Sequence, residues 1–470
     1  MSGILSAIKL QEAGLDDFAI YEKAERLGGT WRENTYAGVA CDVPSHLYCY
    51  SFAPNPEWSH RFSPGAEIQT YFEDVAKRYG VSDRIRYGTE IRRCAFEDGR
   101  WRIETTDGDT DEGDFVIAAT GVLHHPSYPD IEGLDSFEGV CFHSARWNHD
   151  ESLAGKRIGV IGTGSTAIQV VSALVPEAEK LTMFQRTAQW VMPQENPAYT
   201  DEEKRDFRED PTILEQLRGE ISQLFADNFS NAVVDASSPQ LQLIEQVCRL
   251  NLETNVKDAD LREKLRPDYR AACKRLIMSD DFYAKIQRPN AALVTEGIER
   301  IEAKGIRTTD GHLHELDVLV LCTGFRVDRF MRPMEVVGRG GLTLEDAWEK
   351  RPFAYMAISI PEFPNLFMLN GPNGPVGNFS LIEVAELQFS YIMQLVDQVR
   401  SGACGEICAT RSASDQFDED RVEAAKNTIW QSGCSSWYLD DRGVPAAWPW
   451  TFDRFREEMA APKLADYQLS

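Results

Sequence analysis

The chain has 470 residues, 43% of them hydrophobic and 26% charged, with a formal net charge of −26. That length allows two to three domains with ample buried core, while the excess of acid argues against nucleic acid or an anionic membrane as a partner. Any anionic cofactor must therefore find a locally basic pocket. No apolar run is long enough to span a bilayer, and the N-terminus lacks a basic stretch followed by an apolar one, so a cytoplasmic location is expected. The ten cysteines (Cys41, Cys49, Cys94, Cys141, Cys248, Cys273, Cys322, Cys404, Cys408 and Cys434) form no C-x-x-C pair. No metal site is expected from them, and most read as buried thiols.

The first residues read as a glycine, Gly3, followed by a helix over residues 4–13, a turn at Ala13-Gly14, and a strand ending at Tyr21-Glu22. That order matches the latter part of a dinucleotide fingerprint, with Glu22 spaced to bind the ribose hydroxyls of an adenosine. The strand and the two glycines that usually come first are not in the sequence. This suggests either a start assigned too late or a truncated relic, and the intact downstream motifs favour the first.

Residues 114–121, 157–162 and 317–324 are apolar runs closing on glycine, as expected of parallel strands buried on both faces. Helical patterns alternate with them, which predicts doubly wound α/β architecture. Gly162-Thr163-Gly164-Ser165-Thr166-Ala167 joins one such strand to a helix running to residue 174. Here the first glycine permits a tight turn and the second lets the backbone approach a diphosphate. The small alanine lets strand and helix pack closely, with the diphosphate on the helix N-terminus. The next strand, residues 181–185, ends in Arg186-Thr187 rather than in an acid. An arginine there accommodates the 2′-phosphate of NADP, so NADPH is expected over NADH. Residues 200–264 lose all strand signals and carry Ile213, Leu217, Ile221 and Leu224 at helical spacing, which predicts a helical insertion.

Two further motifs carry a resemblance. Gly28-Gly29-Thr30-Trp31, Tyr36, Gly38 and Asp42 are similar to the signature G-G-x-W-x(4)-Y-P-G-x(3)-D of Baeyer–Villiger monooxygenases, with Ala37 in the proline position. Phe137, Gly139, His143 and Trp147 fit the family fingerprint F-x-G-x-x-x-H-x-x-x-W, although Asn148 replaces the usual proline or aspartate. Lys274-Arg275, the loop around Asn373 and Ser436-Trp437-Tyr438 fall where the family places cofactor-contacting segments. The C-terminal stretch resembles the hydroxyacetophenone monooxygenase branch.

The resemblance implies two dinucleotide-binding (Rossmann-like) domains with a helical insertion. The FAD domain would comprise residues 1–145 and 317–470, and the NADP domain residues 146–199 and 265–316 around the insertion at 200–264. It implies FAD and NADPH as cofactors, and oxygen insertion beside a ketone, with aromatic ketones suggested by the branch resemblance, through a C4a-peroxyflavin formed from O2. Arg275 and Asp42 would be catalytic. Gly3, Glu22, Gly29, Thr30, Trp31, Asp42, Asn373 and Trp437 would contact cofactor on the FAD side and in the C-terminal loop. Gly162, Gly164, Ser165, Thr166, Arg186, Thr187 and Lys274 would hold NADPH. Phe137, Gly139, His143 and Trp147 would couple domain movement rather than make bonds. The alternatives are an N- or S-oxygenating flavoenzyme, or a relic unable to hold FAD.

Overall fold

The computed structural model describes residues 1–470 apart from Asn378, Ser435 and Trp437. Its most regular part is a five-stranded parallel sheet. The strand order is Ala291–Val294, Lys180–Phe184, Arg157–Ile161, Val318–Leu321 and Val140–His143. Val318, Leu319 and Val320 have no exposed surface, as expected of a β-branched apolar run covered on both faces. From Arg157–Ile161 the chain winds outward through the two strands on one side, and the strands on the other side are reached by different crossovers. The crevice where strand order switches lies at the end of Arg157–Ile161, directly before the glycine loop.

A second region contains two parallel pairs. Ile20–Tyr21 lies beside Ile85–Arg86, and Val116–Ala118 beside Leu366–Met368. The Ser2–Glu12 helix buries Ile4, Leu5, Ala7 and Ile8 in a core shared with Ile382, Phe389 and Ile392 of the long Leu381–Arg400 helix. The chain is thus α/β, with two dinucleotide-type layers and a helical insertion.

Two linkers run side by side between these layers. The Thr323 hydroxyl donates to the Ser127 carbonyl at 2.6 Å, Ser127 N–H donates to the Gly324 carbonyl at 2.8 Å, and Arg326 N–H to the His125 carbonyl at 2.9 Å.

The insertion is helical, as expected: Asp201–Glu209, Pro211–Phe225, Pro239–Asn255 and Ala259–Lys264. Its starts are legible in sequence. Thr200 and Glu203 form a capping box, and Asp210 and Ser238 cap helices that open with proline. The apolar stripe on Pro211–Phe225 is only partly buried: Ile213 and Leu224 are exposed, Leu217 and Ile221 are half-buried with Ile221 against the core, and Leu214 is buried. Polar pairs add to this packing. Arg218 donates to the Cys49 carbonyl at 2.6 Å and pairs with Glu386 at 3.4 Å, while Ser222 donates to Glu383 at 3.0 Å.

Eight cysteines are free, but Cys273 and Cys434 form a disulfide across a sequence separation of 161. Spacing alone could not reveal it, since the partners meet only through tertiary folding. Among the described residues no helix is long and apolar enough to cross a membrane.

His46 is 2% exposed, and its ring lies edge-on to Tyr199 and Phe207 at 5.1 and 5.0 Å. Burial lowers its pKa from 6.5 to about 4. The unfolded chain therefore binds the extra proton first, so the contribution of His46 to stability is complete above pH 6.5 and is lost as pH falls toward 4. Between about pH 7 and pH 5 the loss is about 2 kcal/mol. Urea midpoints of the wild type should fall over that interval, and His46→Phe should flatten the fall.

Candidate active site

A cleft of about 2420 Å³ runs between the two layers; every described residue singled out from sequence as catalytic or cofactor-contacting lines it, while Phe137, Gly139, His143 and Trp147 do not. Gly162 shows why glycine is required at one end of it. Its φ is +125°, and a Cβ there would lie 2.2 Å from the Cys322 carbonyl oxygen. The following Ser165–Leu174 helix has no side-chain cap on its first turn, and the same is true of Ser2–Glu12 behind Gly3. Free N–H groups at both helix starts face the cleft, as a diphosphate requires. Arg186, Lys274 and Arg275 line the same cleft.

Arg186 and Lys274 are brought close enough to repel, and Arg186 depresses the Lys274 pKa in addition to the larger effect of burial. Thr187 accepts a hydrogen bond through its carbonyl from the Thr163 hydroxyl at 2.9 Å, which ties the glycine loop to the arginine segment. On the other wall, the Glu22 carboxylate accepts from Ala24 N–H at 2.9 Å and pairs with Arg32 at 3.1 Å. Gly29 and Thr30 open the short Thr30–Glu33 helix, and Trp31 donates to the Tyr48 hydroxyl at 3.2 Å. Asn373 is buried at φ +69° with its side chain toward Ala354 N–H at 3.4 Å.

The signature segment is tied to the Ser165–Leu174 helix by Gln169. That side chain accepts from the Tyr36 hydroxyl at 2.7 Å and donates to the Ala40 carbonyl at 3.1 Å. Asp42 follows directly and meets Arg275. One carboxylate oxygen accepts from Nη2 at 2.5 Å and from Nε at 3.2 Å. Arg275 Nη1 donates to the Gly377 carbonyl at 2.8 Å, and the guanidinium is also bonded to the Tyr438 hydroxyl. Burial works against the cation, but Asp42 and Tyr438 together outweigh it and raise the Arg275 pKa. A guanidinium fixed from three directions is a permanent, oriented positive charge.

The fingerprint residues lie away from this charge. Gly139 allows close strand packing, because a Cβ there would sit 2.5 Å from the Asp317 carbonyl oxygen. Phe137 packs against the core containing Ile161, and Trp147 stacks edge-on to Phe142 at 5.1 Å. His143 ends the edge strand, where its Nδ1 accepts from Ala145 N–H at 3.1 Å and its ring touches both linkers, at Tyr128 and Phe325. Burial lowers its pKa, which favours the neutral ring. Two contacts join this strand end to the signature: Arg146 to Glu33 at 2.6 Å and His149 to Thr35 at 2.7 Å.

Trp437 lies outside the described residues. Sequence reading missed the Gly377 carbonyl and the Tyr438 hydroxyl as partners of Arg275. The first is a backbone atom, and the second was visible only as part of a C-terminal loop. It also missed the disulfide joining the Arg275 segment to that loop.

These features define a flavoprotein monooxygenase with separate flavin and nicotinamide sites, and the chain belongs to the flavin-binding monooxygenase-like family, which matches residues 1–334. A Baeyer–Villiger monooxygenase of Streptomyces coelicolor is 40% identical over 475 residues, covering 99% of this chain and 90% of that one. An uncharacterised monooxygenase of Mycobacterium tuberculosis is 47% identical over 453 residues, covering 96% and 90%. The crystal structure of cyclohexanone monooxygenase from Rhodococcus sp. Phi1 bound to NADP+ superposes with a TM-score of 0.89 at 29% identity, covering 100% of this chain and 97% of that chain. Within the family the protein is thus a Baeyer–Villiger monooxygenase that depends on FAD and NADPH.

Proposed function

We propose that Arg275 and Asp42 form the reacting centre for oxygen insertion beside a ketone carbonyl. The observation that carries this reading is the three-point anchoring of the Arg275 guanidinium by Asp42, Gly377 and Tyr438 at the cleft wall. Bound FAD, once reduced by NADPH, supplies the activation of O2.

Arg275 stabilises negative charge that develops on the carbonyl oxygen as the ketone is attacked. Because its position is set before substrate arrives, little reorganisation is needed. Asp42 keeps the fork pointed at that oxygen. Gly3, Glu22, Gly29, Thr30, Trp31 and Asn373 hold FAD, with Glu22 on the adenosine ribose. Gly162, Gly164, Ser165 and Thr166 take the NADPH diphosphate, while Arg186, Thr187 and Lys274 surround its 2′-phosphate. Phe137, Gly139, His143 and Trp147 couple the linkers to cofactor placement. This assignment treats residues 146–199 and 265–316 as the NADP domain and the remainder outside the insertion as the FAD domain.

The substrate is a ketone, and aromatic ketones are the first class to assay. Holoenzyme given NADPH, 18O2 and an aryl methyl ketone should release an ester containing one labelled oxygen. Oxidation of an aryl methyl sulfide with no ester from any ketone tested would reject the carbonyl reading in favour of heteroatom oxygenation.

A further inference from the structure

Arg186 and Lys274 repel each other, yet a 2′-phosphate needs both at once. Lys274 also has Asp268 nearby as a competing partner. Something must therefore hold its ammonium on the cleft side. Tyr269 is placed to do this: Lys274 Nζ lies over its ring, 4.6 Å from the centroid. Tyr269 does not line the cleft itself but stands behind Lys274.

Tyr269 is held at its backbone and at its hydroxyl. Trp190 Nε1 donates to the Tyr269 carbonyl at 2.6 Å, and the Tyr269 hydroxyl donates to Gln189 Oε1 at 2.8 Å, with the Ala188 carbonyl at 3.1 Å. Gln189 in turn donates to the Thr163 hydroxyl at 3.3 Å. One aromatic platform thus links the lysine to the glycine loop.

We infer that Tyr269 is a positioning residue for nucleotide selectivity, which fixes the Lys274 ammonium over its ring so that Lys274 and Arg186 together receive the 2′-phosphate. This rests on the assignment of those two cations to that phosphate. A cation held over an aromatic face is worth enough to matter when partly desolvated. The hydroxyl chain steadies the ring, the backbone contact from Trp190 holds the residue in place, and the ring sets where the lysine stands.

The test is calorimetric binding of NADP+ and NAD+ to the oxidised, FAD-loaded enzyme. Tyr269→Leu should weaken NADP+ roughly tenfold and NAD+ less than about twofold. Tyr269→Phe keeps the ring and should stay within about threefold of wild type for both nucleotides. On a Lys274→Met background, Tyr269→Leu should add almost nothing, since its effect passes through the lysine. Equal losses for both nucleotides, or full additivity with Lys274→Met, would overturn the inference by marking Tyr269 as merely structural. If Lys274→Met alone leaves the NADP+ to NAD+ affinity ratio unchanged, the phosphate assignment fails, and this inference fails with it.

Discussion

Arg275→Met should lower ketone oxygenation by about 10³-fold while leaving flavin reduction by NADPH nearly unchanged. The guanidinium offers what no neutral side chain can: a charge that persists at every working pH, aimed by Asp42, the Gly377 carbonyl and the Tyr438 hydroxyl. Methionine preserves bulk and removes the charge, so a carbonyl oxygen becoming negative would face Asp42 without its counter-ion. NADPH oxidation should continue, uncoupled from product, with reducing equivalents lost to hydrogen peroxide. Lysine should rescue little, because a single ammonium cannot reach all three anchors from one place. Measuring NADPH consumed and ester formed in the same assay separates the outcomes. Retained coupling in Arg275→Met would remove Arg275 from the reacting centre.

The second large effect is expected at Gly162. A Cβ there would stand 2.2 Å from the Cys322 carbonyl oxygen, and the backbone is at φ +125°. Gly162→Ala must therefore push apart the ends of Arg157–Ile161 and Val318–Leu321 or abandon the turn, and either displaces the N–H groups that would receive a diphosphate. NADP+ affinity should fall at least about 100-fold, equivalent to roughly 2.7 kcal/mol. FAD should stay bound, because the contacts proposed for it lie on the other wall. Titration of NADP+ against the flavin spectrum checks both at once, and an unchanged NADP+ affinity would show that the loop does not carry the diphosphate.

Much of this was legible in the residues because it depends on local order. The Gly162 loop sits between a strand and a helix in sequence as in space, and caps such as Thr200 with Glu203 announce their helices within four residues. The pairing of Asp42 with Arg275 had no such local signal, and only resemblance suggested it, because the partners are 233 positions apart. Nothing in the sequence indicated that Tyr269 stands beneath Lys274, since tyrosine five residues before a lysine has no preferred geometry in a loop. The insertion was read as helical, while the polar contacts that seat it left no mark in its periodicity. Periodicity registers apolar side chains, whereas Arg218 and Ser222 bury themselves through paired carboxylates and carbonyls.

The bond between Cys273 and Cys434 bears on the denatured chain as much as on the native one. By closing a loop across 161 positions it withdraws conformations from the unfolded ensemble, a contribution of about 5 kcal/mol in the chain-entropy account. One end of that bridge adjoins Lys274 and Arg275, and the other begins the stretch leading to Tyr438. Movement of Cys434 is therefore coupled to movement of the segment bearing Lys274 and Arg275. Under thiol reductants the two should exchange their amide hydrogens independently, whereas in the oxidised protein they should open together.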